Sequence, residues 1–183
     1  MWWDYHLKCG DKVIQGGAGQ RCAVAVLNFA IPAGLDAGPA TVTIGSQSAS
    51  VLLAPLAPSL FTLNTGGLAA TYVTRVAPSG AVTNQPIASF QNGVYTPVPI
   101  DVTSAPAYLI LFGTGLRNAS FWTAIVHGGS MPLQYAGPQE SIAGLDRVNL
   151  LLPSYLAGSG CLNMVVYTGP LGLFSNTVYV CMQ

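Results

Sequence analysis

The segment from Ala107 to Pro153 constrains the fold more than any other part of the chain. It opens with Tyr108-Leu-Ile-Leu-Phe-Gly-Thr-Gly-Leu116, a nearly continuous apolar run rich in branched and aromatic residues and stopped by glycine. Such a run is typical of a strand buried on both faces. The segment closes with Val148 to Leu152 and then Pro153, which has no backbone N–H to donate and therefore ends a strand or places it at an edge. These two strands are predicted to form the centre of a sandwich.

The spacing of strands and turns predicts an all-β fold built from immunoglobulin-like β-sandwich units, two in tandem with the first incomplete. The C-terminal unit is predicted to contain strands at 107–113, 121–127, 130–135, 147–152, 161–168 and 173–181. No stretch keeps a 3.6-residue apolar period for three turns, so no helix is predicted.

An internal repeat indicates that the chain contains a first, incomplete unit before the C-terminal one. Asn28-Phe-Ala-Ile-Pro32, followed by Leu35, recurs as Asn149-Leu-Leu-Leu-Pro153, followed by Leu156. Each copy precedes two strand-like runs, which in the first copy are 40–44 and 48–53. Residues 22–53 therefore correspond to the closing strands of a unit whose opening strands do not precede them.

The predicted division of the chain has three parts. Residues 1–57 hold an N-terminal segment and the partial unit, 58–106 form a connecting hairpin and a proline-rich segment, and 107–183 form the C-terminal sandwich. Within the connection, short strands are predicted at 60–63, 69–76 and 81–83, the last two joined by the turn sequence Ala77-Pro-Ser-Gly80. Residues 84–106 are predicted to supply an edge strand and a crossing connection.

Four short motifs carry a resemblance to a known family. They are Ala57-Pro-Ser-Leu-Phe-Thr62, Gly113-Thr-Gly-Leu116, Tyr135-Ala-Gly-Pro138 and Gly144-Leu-Asp-Arg-Val-Asn149 with Pro153. On these motifs the chain resembles the uncharacterised extracellular C-terminal domain common in large secreted proteins of Acidobacteria, over roughly residues 22 to 183. It departs from that family at Arg147, where Gln is usual, at Ser79-Gly80, where Asp-Gly is usual, and in its cysteines. The resemblance implies an immunoglobulin-like fold and secretion, and the family has no assigned activity.

Charge is unusually scarce. Only 7% of residues are charged, against about 25% in ordinary soluble domains, and the formal net charge is zero. Nucleic acid is therefore not an expected partner, because phosphate binding needs clustered Lys and Arg. No apolar run is long enough for a transmembrane segment, and the N-terminus does not read as a signal peptide, so a mature product or a fragment is expected. A surface of this kind suits an exported, assembled or glycosylated protein.

The four cysteines, Cys9, Cys22, Cys161 and Cys181, permit three pairings. They lack zinc or redox spacing, so disulfides in an oxidising compartment are favoured over four buried thiols. A hairpin of 161–168 and 173–181 with its turn centred at Leu171 brings Cys161 opposite Cys181. By elimination, Cys9 pairs with Cys22.

Ionisable groups are too few to predict an enzyme. His6 and His127 are the only histidines, and Asp146, next to Arg147, is interpreted as a local ion pair or a turn cap. No nucleophile elbow, His pair or acidic calcium loop is present. The sequence therefore predicts no catalytic, cofactor-binding or metal-binding residues and no cofactor.

Two surface features remain as candidates. Tyr95, Trp122 and Tyr135 are candidates for stacking on sugars, although aromatic residues in a sandwich more often belong to the core. Asn118-Ala-Ser120 is a glycosylation sequon in a loop. If the rings are exposed, the alternative function is a carbohydrate-binding or spacer module from a larger secreted enzyme.

The favoured function is an extracellular, non-enzymatic structural or adhesive protein that assembles into a homopolymer by β-strand exchange, with surface glycans as a further candidate partner. The aromatic segment 1–7, with Trp2, Trp3, Tyr5 and Leu7, is the candidate donor strand. The competing expectation is that residues 54–91 fold back and complete the first unit within one chain.

Overall fold

The computed structural model of the protein describes residues 5–6, 26–27, 30–32, 34–168 and 171–183. These residues form seventeen strands and one 3-10 turn, Ser154–Leu156. The strands are β1 (Tyr5–His6), β2 (Val26–Leu27), β3 (Gly38–Ile44), β4 (Gln47–Leu53), β5 (Ser59–Leu60), β6 (Thr71–Val76), β7 (Val82–Pro86), β8 (Ala88–Gln91), β9 (Val94–Pro97), β10 (Ala107–Thr114), β11 (Thr123–Val126), β12 (Gly129–Pro132), β13 (Tyr135–Pro138), β14 (Asp146–Leu152), β15 (Cys161–Thr168), β16 (Leu173–Phe174) and β17 (Val178–Cys181).

Two antiparallel sheets enclose one core. The first has the order β13-β14-β10-β6-β7, with β5 also paired to β10, and the second has the order β12-β11-β15-β16, with β17 paired to β15. Both sheets bury side chains in a single cluster, which includes Val73, Leu109 and Leu150 of the first and Val126 and Met164 of the second. Because two sheets share one core in this way, the protein is a β-sandwich, and the predicted all-β class is confirmed.

Strand β10 lies at the centre of the first sheet. Leu109 faces Val73 of β6 on one side and Leu150 of β14 on the other, and all three are completely buried. Burying one such side chain contributes about 1.5 to 3 kcal/mol, so this row is a large part of the core. Alternate residues of β10 point the other way and form the outward face of the sheet, which positions the candidate site described below.

The sandwich begins before residue 107. Strands β5, β6 and β7, which lie in the predicted connecting segment, belong to the same sheet as β10. Strands β5 and β6 therefore pair with β10 of the C-terminal part, β7 pairs with β6, and none of the three pairs with β3 or β4. The proline-rich region also contains the hairpin β8–β9, closed by Asn92-Gly93, which the sequence interpretation missed.

Strands β3 and β4 form a separate hairpin. Their facing pairs include Ala40 with Val51 and Val42 with Ala49, which lie on one half-buried apolar face, whereas the opposite face is exposed. Strand β1 pairs with β2 in the same chain. Among the described residues, none of the three two-stranded sheets, β1–β2, β3–β4 and β8–β9, joins either sheet of the sandwich.

The predicted Cys161–Cys181 disulfide is confirmed. The two residues face each other across β15 and β17, with Cα atoms 3.8 Å apart, closer than the 4.5 to 5.5 Å expected for facing residues. Cys9 and Cys22 lie outside the described residues. Among the described residues, no helix is long and apolar enough to cross a membrane.

The predicted strand 173–181 is interrupted by a bulge. Tyr167 faces Phe174 and Met164 faces Val178, so three residues of one strand oppose two of the other. The Ser175 hydroxyl accepts a hydrogen bond from the Val166 N–H at 2.9 Å and so replaces a ladder bond. An extra residue of this kind turns a neighbouring side chain out of the sheet.

Candidate functional site

The glycines of Gly113-Thr-Gly-Leu116 allow a backbone to cross closely. A Cβ atom at Gly113 would lie 2.2 Å from the Ser59 carbonyl oxygen, and one at Gly115 would lie 2.1 Å from the Ala57 carbonyl oxygen. Any side chain at either position would collide with the chain that leads into β5. Two of the motifs that carry the family resemblance are therefore in direct contact.

Asp146 joins a third motif, Gly144-Leu-Asp-Arg-Val-Asn149, to Gly113-Thr-Gly-Leu116. It is completely buried, and its Oδ2 accepts a hydrogen bond from the Leu116 N–H at 2.7 Å, while its Oδ1 accepts one from Arg117 Nε at 2.7 Å. The expected ion pair with Arg147 is wrong, because Asp146 and Arg147 point to opposite faces of β14 and Arg117 reaches Asp146 from the β10–β11 loop. Both carboxylate oxygens are occupied, so Asp146 holds the loop in place and offers no base.

The outward face of the first sheet carries aromatic and polar side chains in register. Tyr72, Ile110, Asn149 and Tyr135 are consecutive partners across β6, β10, β14 and β13. With strands about 4.8 Å apart, this row spans roughly 14 Å. The next row contains Phe112 and its partner Arg147, and the Tyr72 and Phe112 rings are 5.8 Å apart.

Tyr135 supports Arg147. The Arg147 guanidinium lies 4.9 Å from the centre of the Tyr135 ring, and the Tyr135 hydroxyl donates to the Pro138 carbonyl at 2.6 Å. The ring lies back over Gly137, where a Cβ atom would be 3.0 Å from the hydroxyl oxygen. A side chain at residue 137 would require the Tyr135 ring to shift by a few tenths of an ångström, so glycine in Tyr135-Ala-Gly-Pro138 favours the observed position of the ring.

Two polar atoms on this face have no partner. Arg147 Nε and Asn149 Oδ1 are buried and make no hydrogen bond within the part of the chain that the structure describes. A buried polar group without a partner costs about 1 to 3 kcal/mol, and most native structures contain few of them. Arg147 Nε is a hydrogen-bond donor, Asn149 Oδ1 is an acceptor, and the two residues are two positions apart on β14. They indicate a place where another molecule can supply the missing hydrogen-bond partners.

A groove borders the same face. Its volume is about 900 Å³, and it runs between β5 and the loop after β13. Phe61, Phe112, Ile142 and Leu145 give it an apolar lining, and Gln139 adds a polar side chain. Because Phe112 is the register partner of Arg147, the groove and the arginine adjoin.

The three predicted sugar-stacking residues have different environments. Trp122 is only 6% exposed, and its Nε1 donates to the Leu116 carbonyl at 2.8 Å, so it belongs to the core and offers no ring face to a sugar. One face of the Tyr135 ring is in contact with the Arg147 guanidinium and is therefore not free for a sugar. Tyr95 is 36% exposed on β9, with its ring 4.6 Å from that of Phe90. The structure does not bring Tyr95 into register with Tyr135.

The other predicted residues lie apart from this face. His127 occupies the exposed two-residue turn between β11 and β12 with a φ of 48°, a conformation that suits a tight hairpin. Asn118 is exposed, and its Nδ2 donates to the Pro55 carbonyl at 3.4 Å. The described residues contain no group of three His, Cys, Asp or Glu side chains that could hold a metal ion.

The proposed donor segment is described only in part. Tyr5 and His6 form β1 and pair with Leu27 and Val26 of the same chain. Trp2, Trp3 and Leu7 lie outside the described residues.

The strands that have an unpaired edge in the described structure differ in whether they contain proline. Three sandwich edges, β7, β12 and β13, end in a proline, at Pro86, Pro132 and Pro138, and β3 carries Pro39. Other strands paired on one side only, such as β8, β16 and β17, contain no proline but are four residues long or shorter. Proline removes an N–H from an edge and so discourages the addition of another strand. Strand β4 is seven residues long, has no proline and pairs only with β3 among the described residues.

Sequence reasoning missed Asn176. Its side chain mimics a strand, because Oδ1 accepts from the Leu60 N–H at 2.7 Å and Nδ2 donates to the Leu60 carbonyl at 3.0 Å. This amide joins β5 of the first sheet to the bulge in the second. Ser175-Asn176, two strand-breaking residues inside an apolar run, was the available signal.

Comparison with known proteins adds no assignment, since no family model, curated protein or solved structure matches the chain.

Proposed function

We propose that the protein is an extracellular, non-enzymatic structural or adhesive subunit that assembles with copies of itself by β-strand addition. The observation that carries this proposal is the edge of β4, the one strand of five or more residues in the described structure that has an unpaired edge without proline. The Cys161–Cys181 disulfide fits an oxidising compartment.

The hairpin β3–β4 also lacks a sandwich of its own. Ala40, Val42, Ala49 and Val51 make one face apolar, and neither strand of the hairpin is hydrogen-bonded to a described strand of the two sandwich sheets. A two-stranded hairpin is at best marginally stable alone. A strand from a second copy, added at β4, would extend the hairpin to three strands and add its own side chains to this apolar face.

The donor remains the aromatic segment 1–7. In the structure Tyr5 and His6 pair with β2 of their own chain. Donation therefore requires segment 1–7 to leave β2 and to pair with β4 of a second copy of the chain. Exchange from one chain to the next is a head-to-tail contact that does not have to close, so it produces a filament.

The test compares two lysine substitutions on adjacent residues of β4. Val51→Lys places a charge on the apolar face, which blocks strand addition, whereas Ser50→Lys places the same charge on the exposed face. Light scattering and electron microscopy should find polymers for the wild type and Ser50→Lys, and monomers for Val51→Lys. A wild-type protein that stays monomeric at all concentrations, or equal polymerisation of both variants, would overturn the proposal.

The donor is tested separately by deleting residues 1–7. A truncated protein that remains monomeric, and recovers assembly when a synthetic peptide of residues 1–7 is fused to its C-terminus, supports donation. Normal polymerisation of the truncated protein would assign the donor to another segment.

A further inference from the structure

We propose that the outward face of the first sheet binds an acidic polysaccharide, with the Arg147 guanidinium taking a sugar carboxylate. This inference concerns a ligand of the sandwich and does not depend on assembly through β4. It rests on Arg147, Asn149 and the rings around them.

Of the three arginines in the part of the chain that the structure describes, Arg147 is the one without a hydrogen-bond acceptor. Arg75 donates to the carbonyls of Asp101 and Ala105, and Arg117 donates to Asp146, but no described residue accepts a hydrogen bond from Arg147. A guanidinium binds carboxylates with two parallel hydrogen bonds, and its flat π-surface stacks on an aromatic ring. Tyr135 already provides that ring.

Asn149 favours a ligand that carries hydroxyl groups. Its Oδ1 needs a donor, while Arg147 Nε needs an acceptor, and both atoms lie on the same face of β14. A hydroxyl group both donates and accepts, so one sugar hydroxyl can serve both atoms, whereas a carboxylate alone cannot. Arg147 Nε and Asn149 Oδ1 are buried, so a ligand can reach them only if both side chains rotate.

The rings supply surfaces for the sugar residues. Tyr72 and Phe112 lie half-buried beside Arg147 and are tilted by 50° relative to each other, above a nearly buried Ile110. A pyranose presents an apolar face of C–H groups that packs on an aromatic ring. A saccharide chain laid across the strands would meet Tyr72, then the polar pair on β14, and would reach the groove beside Phe112.

A saccharide fits this face better than a peptide. Strands β6, β10 and β14 each have partners on both sides, so their backbone groups are already used in the sheet. An extended peptide gains most of its affinity from pairing with an unoccupied strand edge. The face offers side chains alone, which is how polysaccharides with flat rings and many hydroxyl groups are bound.

The experiment measures binding of polygalacturonate and of its fully methyl-esterified form. The ester keeps the sugar ring and removes the charge, so the wild type is expected to bind the ester roughly ten- to a hundred-fold more weakly than the acid. Arg147→Gln should weaken binding of the acid by a similar factor, and Tyr72→Ala should weaken binding of both forms. Tyr95→Ala, which removes an exposed ring elsewhere, should change neither.

Binding is measured in the Val51→Lys background as well, which separates it from assembly. Binding retained in a monomeric Val51→Lys protein supports the site whatever becomes of the filament proposal, and polymerisation of that variant counts against the filament proposal alone. Three results would overturn the inference: no binding of the acid, equal binding of acid and ester by the wild type, or equal binding of poly-glutamate, which has the carboxylates but no sugar. The acid and ester comparison uses the unmodified protein and so holds even if Arg147→Gln fails to fold.

Discussion

Replacing Asp146 by Asn should destabilise the sandwich strongly. The substitution keeps the shape of the side chain but removes its charge and one acceptor oxygen. Asp146 accepts from Leu116 N–H, Arg117 N–H and Arg117 Nε, so the new amide NH₂ must point at one of these donors. Breaking a buried ion pair costs about 3 to 5 kcal/mol.

The expected loss lies near the lower end of that range. Arg117 is 34% exposed and regains water when the pair is broken, whereas Asp146 is completely buried. We therefore expect a loss of about 3 kcal/mol in the free energy of unfolding. This is a large share of the 5 to 15 kcal/mol typical of a domain.

The assay is urea unfolding followed by far-UV circular dichroism, fitted with a common slope. Asp101→Asn is the matched control. Asp101 also accepts backbone hydrogen bonds, from Thr103 and Ser104, but its carboxylate is exposed to solvent. Hydrogen bonds from Ser104 and Thr103 hold the pKa of Asp101 well below its usual value. The reasoning is refuted if Asp146→Asn costs less than about 1 kcal/mol, or no more than the control variant.

Three other variants test the remaining contacts. Cys161→Ser combined with Cys181→Ser should lower the unfolding free energy by about 3 kcal/mol, and an unchanged urea midpoint would argue against the disulfide. Asn176→Ala leaves two backbone groups of Leu60 unpaired and should cost about 1 to 3 kcal/mol by the same assay, whereas the exposed substitution Ser50→Ala should cost almost nothing. Gly137→Ala should displace the ring stacked on Arg147, change the near-UV circular dichroism and weaken polygalacturonate binding; an unaltered spectrum would contradict the close contact.

The strands that carry continuous apolar runs could be predicted from the sequence. The run at β10 and the proline after β14 are local signals, and they determined the centre of the sandwich correctly. The Cys161–Cys181 pair followed from hairpin geometry for the same reason. The hairpin β8–β9 also had a local signal in Asn92-Gly93, which the proline content of its surroundings obscured.

Pairings between distant segments could not be predicted in this way. The partner of Asp146 turned out to be Arg117, not its neighbour Arg147, because alternate residues of a strand point to opposite faces and the loop that carries Arg117 returns over the buried one. Similarly, nothing in the sequence near Asn176 indicates that Leu60 is its partner. The candidate site depends on which four strands lie side by side, so its row of side chains emerges only from the sheet order.

Strand β17 determines when the protein can fold during synthesis. Tyr179 pairs through its backbone with Gly67 and Ala69, and Met182 is bridged to Ile100. The segments that contain Gly67, Ala69 and Ile100 are synthesised first and cannot form these pairings until residues 179 and 182 have been synthesised. Val178 and Val180 of the same strand are buried in the core. Until the ribosome has released this strand, the earlier segments have an incomplete sheet and exposed apolar side chains, a state prone to aggregation. The chain should therefore depend on a chaperone during translation, and folding should be slow because most of its pairings are distant in sequence.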